Sequence, residues 1–372
     1  MKNNSRWQRK KRQQLNMYSI AKNCNVVGTD DLRADLSCLI ADYDAKQIFL
    51  VVDQGSRKYC YDLIRGVNNI SDDHVIEIRQ GDDYKNYESA LVIWNFLSSH
   101  GANRRSLLIN VGGGMPCDLG GFCASTFKRG IEFINIPTTL LAQVDASIGG
   151  KTGMNLGGLK NEIGVFSIAK SVIICSDFLK TLDKENLLSG FAEMLKHALI
   201  HDAASLEKLL AFDFDKPDFA ELQQLVGESI GIKNYFVTED PKEKGVRKAL
   251  NFGHTFGHAF ETFAMRHKRP ILHGYAVAYG MVCELRMSAK RVGLDSGEAE
   301  RVASEIEKRY GRFDYHEEDL PELIELMTHD KKNDSRGINF TLLPRIGDII
   351  IDQIIPADEI EAMLRNYMNA KK

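Results

Sequence analysis

The feature that most constrains this chain is a change of period near residue 177. Before it, short apolar runs alternate with helical stretches. Gln47–Asp53 (QIFLVVD), His74–Arg79, Ser106–Val111 (SLLINV), Glu132–Ile136 and Ser171–Cys175 (SVIIC) read as strands, and Tyr87–His100 and Leu119–Lys128 carry helical spacing. Strands separated by helices of this length build a parallel sheet with crossovers. Runs that are apolar on both faces belong to a sheet covered on both sides. Beyond Asp177 the strand-like runs nearly stop. Glu185–Ile200, Phe219–Val237, Val246–Met265, Gly274–Val292 and Ser296–Arg309 read as amphipathic helices, and Ile338–Ile351 (INFTLLPRIGDIII) as a late hairpin around Pro344–Gly347. The pattern predicts an α/β chain: a parallel-sheet domain over residues 17–177, then a mainly helical domain over 178–372. A length of 372 residues suits two domains, whose cleft is the default place for an active site.

A chain this long folds on its own core, so a metal here would serve chemistry rather than hold the fold. Hydrophobic residues at 44% and charged residues at 27% are ordinary globular proportions and exclude a disordered or fibrous chain. A net charge of −3 argues against a nucleic-acid partner. Seven cysteines with no C-x-x-C pair fit reduced thiols in the cytoplasm and give no zinc ribbon. No apolar run reaches the roughly 18 residues that span a bilayer. Residues 1–16 carry Lys2, Arg6, Arg9, Lys10, Lys11 and Arg12 with no acid and no apolar core, so they read as a basic tail and not a secretory signal.

Gly112-Gly113-Gly114 directly follows the third strand and leads into a helix. Glycines there let backbone N–H groups approach a diphosphate at the helix N-terminus, although the order is not G-x-G-x-x-G. Val144–Thr152 (VDASIGGKT) superficially suggests a phosphate loop. Asp145 stands where the Walker pattern needs glycine, which excludes an ATPase. Arg247, Asn251, His254 and His258 are spaced 4, 3 and 4 apart, one stripe of an unbroken helix whose neighbouring positions Ala249, Leu250, Phe252, Phe256, Ala259 and Phe260 are apolar. Such a stripe is expensive to bury without a ligand or counter-charge. Glu193 and Lys196 share a helix face, and His273 stands at the start of another helix. One Glu and two His from three helices make a catalytic-zinc set with open positions. There is no H-E-x-x-H motif; His197 and His201, on or just past the Glu193 helix, could compete as ligands but rank below as spare surface or core histidines. Arg129, Lys151, Lys160, Lys196, Lys233, Arg247 and Lys331 are basic groups among these motifs, and in a net acidic chain they point to a small anionic substrate.

Six ordered motifs, GGGMPCDLGGF, RGIEFINIPTTLLAQVDASIGGKTGMN, KNEIG, GFAEMLKH, LNFGHTFGHAFE and LHGYAVAYGM, together resemble the 3-dehydroquinate synthase family of sugar phosphate cyclases over roughly residues 45–350. The resemblance implies a Rossmann-like NAD-binding domain, a helical metal- and substrate-binding domain, and a homodimer. It implies conversion of 3-deoxy-arabino-heptulosonate 7-phosphate to 3-dehydroquinate and phosphate, with NAD and a divalent metal, zinc or cobalt. Glu193, His254 and His273 would hold the metal. Asp145, Lys196 and Asn251 would surround the reacting carbons, and Lys233 and Arg247 would hold the substrate carboxylate. Lys151, Asn161, His258 and Lys331 would bind phosphate, with Arg129 supplied by the partner subunit. Asp53, Asp82, Lys85, Gly113, Gly114, Asp118, Thr138, Thr139, Lys151, Lys160, Thr181 and Leu182 would line NAD. The chain departs from the family pattern at Leu159, Asn186, Pro241 and within Val165–Lys170. A sedoheptulose 7-phosphate cyclase and a metal-dependent polyol or glycerol dehydrogenase share this architecture. A non-catalytic NAD-binding regulator is a third reading, but it should lack some of these ligands.

Overall fold

The computed structural model describes residues 17–21, 24–157, 159–328 and 337–370. The basic tail and Lys331 lie outside the described residues. The chain divides into two compact units. One holds the residues up to Asp183 together with Asp218–Asn234, and the other holds Lys184–Pro217 and the residues from Tyr235 onward. The single break expected at 177/178 is therefore replaced by an exchange. Gln223 bonds Ser176 N at 3.2 Å and Asp30 Oδ1 at 3.2 Å, so the start of a helix that periodicity assigns to the helical half belongs with the sheet.

The sheet unit contains β1 (Met17–Ala21), β2 (Cys24–Gly28), β3 (Ile48–Asp53), β4 (Val75–Ile78), β5 (Leu107–Gly112), β6 (Glu132–Pro137) and β9 (Ser171–Ile174), ordered β1-β2-β9-β6-β5-β3-β4. Six strands run parallel, and β1 pairs antiparallel with β2. Every residue of β3 and β5 is buried, as their two-sided apolar character requires. Leu50, Val52, Ile109, Val111 and Ile134 form one face of the core with Leu36, Ile40 and Ile64. Each such side chain contributes about 1.5–3 kcal/mol by leaving water. On the other face Phe96, from the helix Tyr87–Ser99, meets Phe49 edge-on at 6.2 Å. The helix Gly114–Thr126 presses so closely on the sheet that a Cβ at Gly120 would lie 2.0 Å from Asn110 Oδ1.

Sequence reading missed two pairings. One is β1–β2; the other is a separate antiparallel hairpin, β7 (Lys151–Leu156) with β8 (Leu159–Phe166). In the hairpin Gly153 faces Gly164, and a Cβ on either would strike the opposite backbone at 2.4–2.6 Å.

In the helical unit, Lys184–Leu199 is buried without interruption from Leu187 to Leu199. The expected hairpin is present as β10 (Ile338–Arg345) and β11 (Asp348–Ile355). The unbroken helix expected over Val246–Met265 is not. Val246–Asn251 forms a tight 3-10 turn, Gly253 adopts φ +80°, and the α-helix begins at His254 and runs to Arg266. Gly253 lies against the helix His273–Arg291, where a Cβ would come within 2.6 Å of Met281 Cγ and 3.0 Å of Val277 O. Consequently His254 and His258 share a helix face, but Arg247 and Asn251 do not belong to that stripe. No helix among the described residues is long and apolar enough to cross a membrane.

Candidate active site

Three helices of the helical unit bring Glu193, His254 and His273 together, and their ligand atoms all lie within 4.8 Å of one another. Glycines make the approach possible. A Cβ at Gly274 would lie 1.8 Å from Ser189 O, which sets His273 one turn from Glu193. A Cβ at Gly280 would lie 1.9 Å from Gly253 O, which seats the His254 helix on the same support. His254 Nε2 and His273 Nε2 stand 3.6 and 3.4 Å from Glu193 Oε1. The opposite ring nitrogens are fixed: His254 Nδ1 by Phe252 O at 3.1 Å and His273 Nδ1 by Glu261 Oε2 at 3.2 Å. Such outer contacts select the tautomer and the aim of a metal-ligating imidazole.

Glu193 is fully buried, and its Oε2 accepts from Lys196 Nζ. Its Oε1 is buried too and is faced by the Nε2 atoms of both histidines. A buried carboxylate converging with two imidazole nitrogens is costly unless a cation is shared among them, so the donor set fits a divalent ion. Burial opposes ionisation of Glu193, but Lys196 and the two histidines hold its carboxyl well below the usual range. Burial, with Lys196 nearby, keeps His254 neutral. Burial opposes the charge on His273 too, yet Glu261 and Glu193 raise its pKa to about 10. His258 meets the His254 ring edge-on at 5.2 Å and lies tilted to the His273 ring at 6.1 Å.

Arg247 is buried, and its Nη1 donates to Pro241 O at 2.9 Å. Asn251 Nδ2 donates to Glu243 Oε1 at 2.9 Å. The loop that leads into Arg247 is tied by Asp240, whose carboxylate accepts from the N–H groups of Lys244 (3.0 Å), Gly245 (2.6 Å) and Arg247 (3.2 Å). These donors, led by Lys244 N–H, keep Asp240 below its ordinary pKa.

The sheet unit carries the remaining predicted residues that are described. Gly113 caps the Gly114–Thr126 helix with no side-chain bond, and a Cβ there would lie 3.2 Å from Thr139 Cγ2. Thr138 N bonds Gly112 O at 2.9 Å, and Thr139 Oγ1 accepts from Ala142 N at 3.2 Å. Gly113, Gly114, Thr138 and Thr139 thus form one rim. Lys85 is buried and pairs with Asp118 at 2.6 Å and with Asn161 Oδ1. Burial raises the Asp118 carboxyl despite Lys85. Lys160 reaches Asp82 at 3.2 Å. Asn161, expected in the phosphate set, lies against Lys85, which is expected in the cofactor set. Lys233 donates to Asp145 O at 2.7 Å and to its carboxylate. Asp53 accepts from Ser56 N at 2.6 Å as the cap of Gln54–Tyr59, and Thr181 and Leu182 close a 3-10 turn. Lys151 and Arg129 are exposed, Arg129 at φ +69°. Sequence reading missed Asp240, Glu243, Glu261 and Glu284. Only Glu261, one turn after His258, and Glu284, an acid between Cys283 and Leu285, carried any signal.

Residues 75–189 match the family model described as 3-dehydroquinate synthase N-terminal, and residues 190–333 match the one described as 3-dehydroquinate synthase C-terminal. The chain is 45% identical over 342 residues to a 3-dehydroquinate synthase of Parabacteroides distasonis, covering 92% of this chain and 97% of that one. It is 40% identical over 294 residues to a 3-dehydroquinate synthase of a Nitratiruptor species, covering 79% and 83%. Its fold resembles that of a 2-deoxy-scyllo-inosose synthase solved with carbaglucose-6-phosphate, NAD+ and Co2+, with a TM-score of 0.82 at 21% identity over 95% of this chain and 99% of that one.

Proposed function

The chain belongs to the 3-dehydroquinate synthase family, and from that premise we propose that it converts 3-deoxy-arabino-heptulosonate 7-phosphate into 3-dehydroquinate and phosphate, a redox-neutral step of the shikimate pathway. The observation that carries the reading is the fully buried Glu193 carboxylate, whose Oε1 faces the Nε2 atoms of His254 and His273, each from a different helix. Glu193, His254 and His273 would hold a divalent metal, zinc or cobalt. Asp53, Asp82, Lys85, Asp118, Lys160, the glycine turn, Thr138, Thr139, Thr181 and Leu182 would hold NAD. When bound, NAD accepts and returns a hydride and the metal polarises the hydroxyl being oxidised.

The chain's own residues supply position and charge. Lys196 offsets the Glu193 carboxylate and, with Asn251 and Asp145, serves the hydroxyls and protons of the reacting carbons. Lys233, steadied by Asp145, and Arg247, steadied by the Pro241 carbonyl, bind the substrate carboxylate; a guanidinium suits the bidentate contact. Lys151, His258 and Lys331 bind phosphate, together with Asn161 on the Lys85 side. Arg129 joins them across a homodimer. Its exposure at a tight turn supports that exchange. The carboxylate clamp favours this substrate over sedoheptulose 7-phosphate, which has no carboxylate to bind. The reaction class is that of a carbon–oxygen lyase acting on phosphate, and the setting is cytoplasmic.

The test is purified protein with the heptulosonate phosphate, Co2+ or Zn2+ and catalytic NAD, following phosphate, product and NADH absorbance together. Phosphate and 3-dehydroquinate should appear one for one with no accumulating NADH. NADH rising in proportion to substrate consumed would replace this reading with the polyol dehydrogenase one. Turnover of sedoheptulose 7-phosphate alone would replace it with the other cyclase.

A further inference from the structure

The helix that begins at His254 starts without a side chain of its own to cap it, because the capping position is Gly253. A neighbouring helix fills the gap. Glu284, on His273–Arg291, is fully buried. Its Oε2 accepts from Gly253 N at 2.6 Å and its Oε1 from Thr255 N at 3.2 Å, so the carboxylate grips the backbone on both sides of His254. An anion is favoured at a helix N-terminus, and burying this charge is tolerable only because such donors meet it.

The first of these bonds has a second end. The N–H of Gly253 and the C=O of Phe252 belong to one planar peptide unit and point in opposite directions. Phe252 O is the acceptor that fixes His254 Nδ1, at 3.1 Å. The chain of contacts therefore runs from the Glu284 carboxylate, through one peptide plane, into the imidazole whose Nε2 faces Glu193. Hydrogen bonds in series polarise one another, so a carboxylate on the N–H makes the carbonyl a stronger acceptor. Thr255 N, the other contact, fixes the first turn of the same helix.

We propose that Glu284 is a positioning residue for the divalent-metal site: through the Phe252–Gly253 peptide it holds the ring of His254 in its tautomer and direction, the role a carboxylate bonded directly to a ligating histidine plays elsewhere. The inference rests on the reading of Glu193, His254 and His273 as the metal set. It differs from simple helix capping in what it moves. A cap changes stability alone, whereas this contact also sets the ligand field.

The experiment compares wild type, Glu284→Gln and Glu284→Ala in the full-length protein. Co2+ affinity is measured by competition with a chromophoric chelator, the visible d–d absorption of the bound Co2+ is recorded, and unfolding is followed by circular dichroism. Ile306→Ala, a core change on the Ser296–Tyr310 helix, serves as a control that lowers stability without touching the peptide. Glu284→Gln, which keeps the shape and loses the charge, should weaken Co2+ binding roughly tenfold, and Glu284→Ala toward a hundredfold. Both should shift the d–d bands, while Ile306→Ala shifts the melting temperature only. Folded Glu284→Gln with wild-type affinity and spectrum overturns the proposal, and so does an equal loss of affinity in Ile306→Ala. If Glu284→Ala does not fold, the Gln variant decides. Wild type that takes up no Co2+, or takes it up equally as Glu193→Ala, overturns the metal reading and this inference with it.

Discussion

Gly253→Ala tests whether the broken helix before His254 is imposed by packing. Two effects add. An alanine at φ +80° sits in the left-handed region, which costs a residue with a Cβ about 1–2 kcal/mol. The new methyl also lies 2.6 Å from Met281 Cγ, 3.0 Å from Val277 O and 3.3 Å from Met281 N. The methionine can swing aside, but the helix backbone cannot, and overpacking of this kind costs about 1–3 kcal/mol. Alanine restricts the unfolded chain and returns about 0.4–1 kcal/mol. The net expectation is a loss of about 1–4.5 kcal/mol. Gly293→Ala provides the control. Gly293 has φ +91° with nothing within 4 Å of the place a Cβ would occupy, so it carries the conformational cost without the clash and should lose about 1.5 kcal/mol or less. Urea unfolding followed by circular dichroism, at matched m values, reads both. Equal losses in the two variants would refute the packing argument, and a Gly253→Ala loss below the control would reverse it.

Three further expectations follow from the site. Chelation should abolish turnover without a cooperative unfolding transition, and Co2+ or Zn2+ should restore wild type but not His254→Ala; unfolding on chelation would make the metal structural. Arg247→Leu should lower kcat/KM roughly a hundredfold, the worth of a charge-assisted bidentate bond, with NAD affinity unchanged; substrate analogues without a carboxylate should barely notice the change, and equal losses for both would remove the clamp. Asp240 is held below its ordinary value near 3.8 by backbone donors, so its contribution to stability is present above that pH and is lost as pH falls through the lower folded value. The gap in unfolding midpoint between wild type and Asp240→Asn should therefore be widest near neutral pH and close under acid; a gap independent of pH would show that the carboxylate charge is irrelevant.

The central strands were legible because β3 and β5 are apolar on both faces, a pattern that few other environments produce. The β7–β8 hairpin was not, because close backbone approach selected Gly153 and Gly164, and glycine leaves no hydrophobic period to read. The break at Gly253 was hidden for a related reason. A lone glycine inside a helical pattern is tolerated, and only the neighbouring helix decides that it must bend. The predicted four-residue stripe failed with it, although His254 still meets Glu193 and His273 as the resemblance implied. The exchange of Asp218–Asn234 into the sheet unit depends on partners such as Asp30 and Asp145, distant in sequence, which periodicity along one segment does not record. Glu243 and Asp240 lie in a loop where no period exists, so their roles emerge only from their hydrogen bonds.

The near-contact of main chains at Gly253, Gly274 and Gly280 has a consequence for anyone wishing to transplant this site. Protein engineers usually copy ligand side chains onto a host and let rotamers absorb the misfit. Here the spacing of the three donors is written into backbone proximity, at distances no host helix bearing a β-carbon can reach. A graft carrying Glu193, His254 and His273 alone would inherit the chemistry and lose the gauge. The smallest portable unit must bring the glycines as well, with Ser189 opposite Gly274, so that the host is machined to the same tolerance before any ion is offered to it.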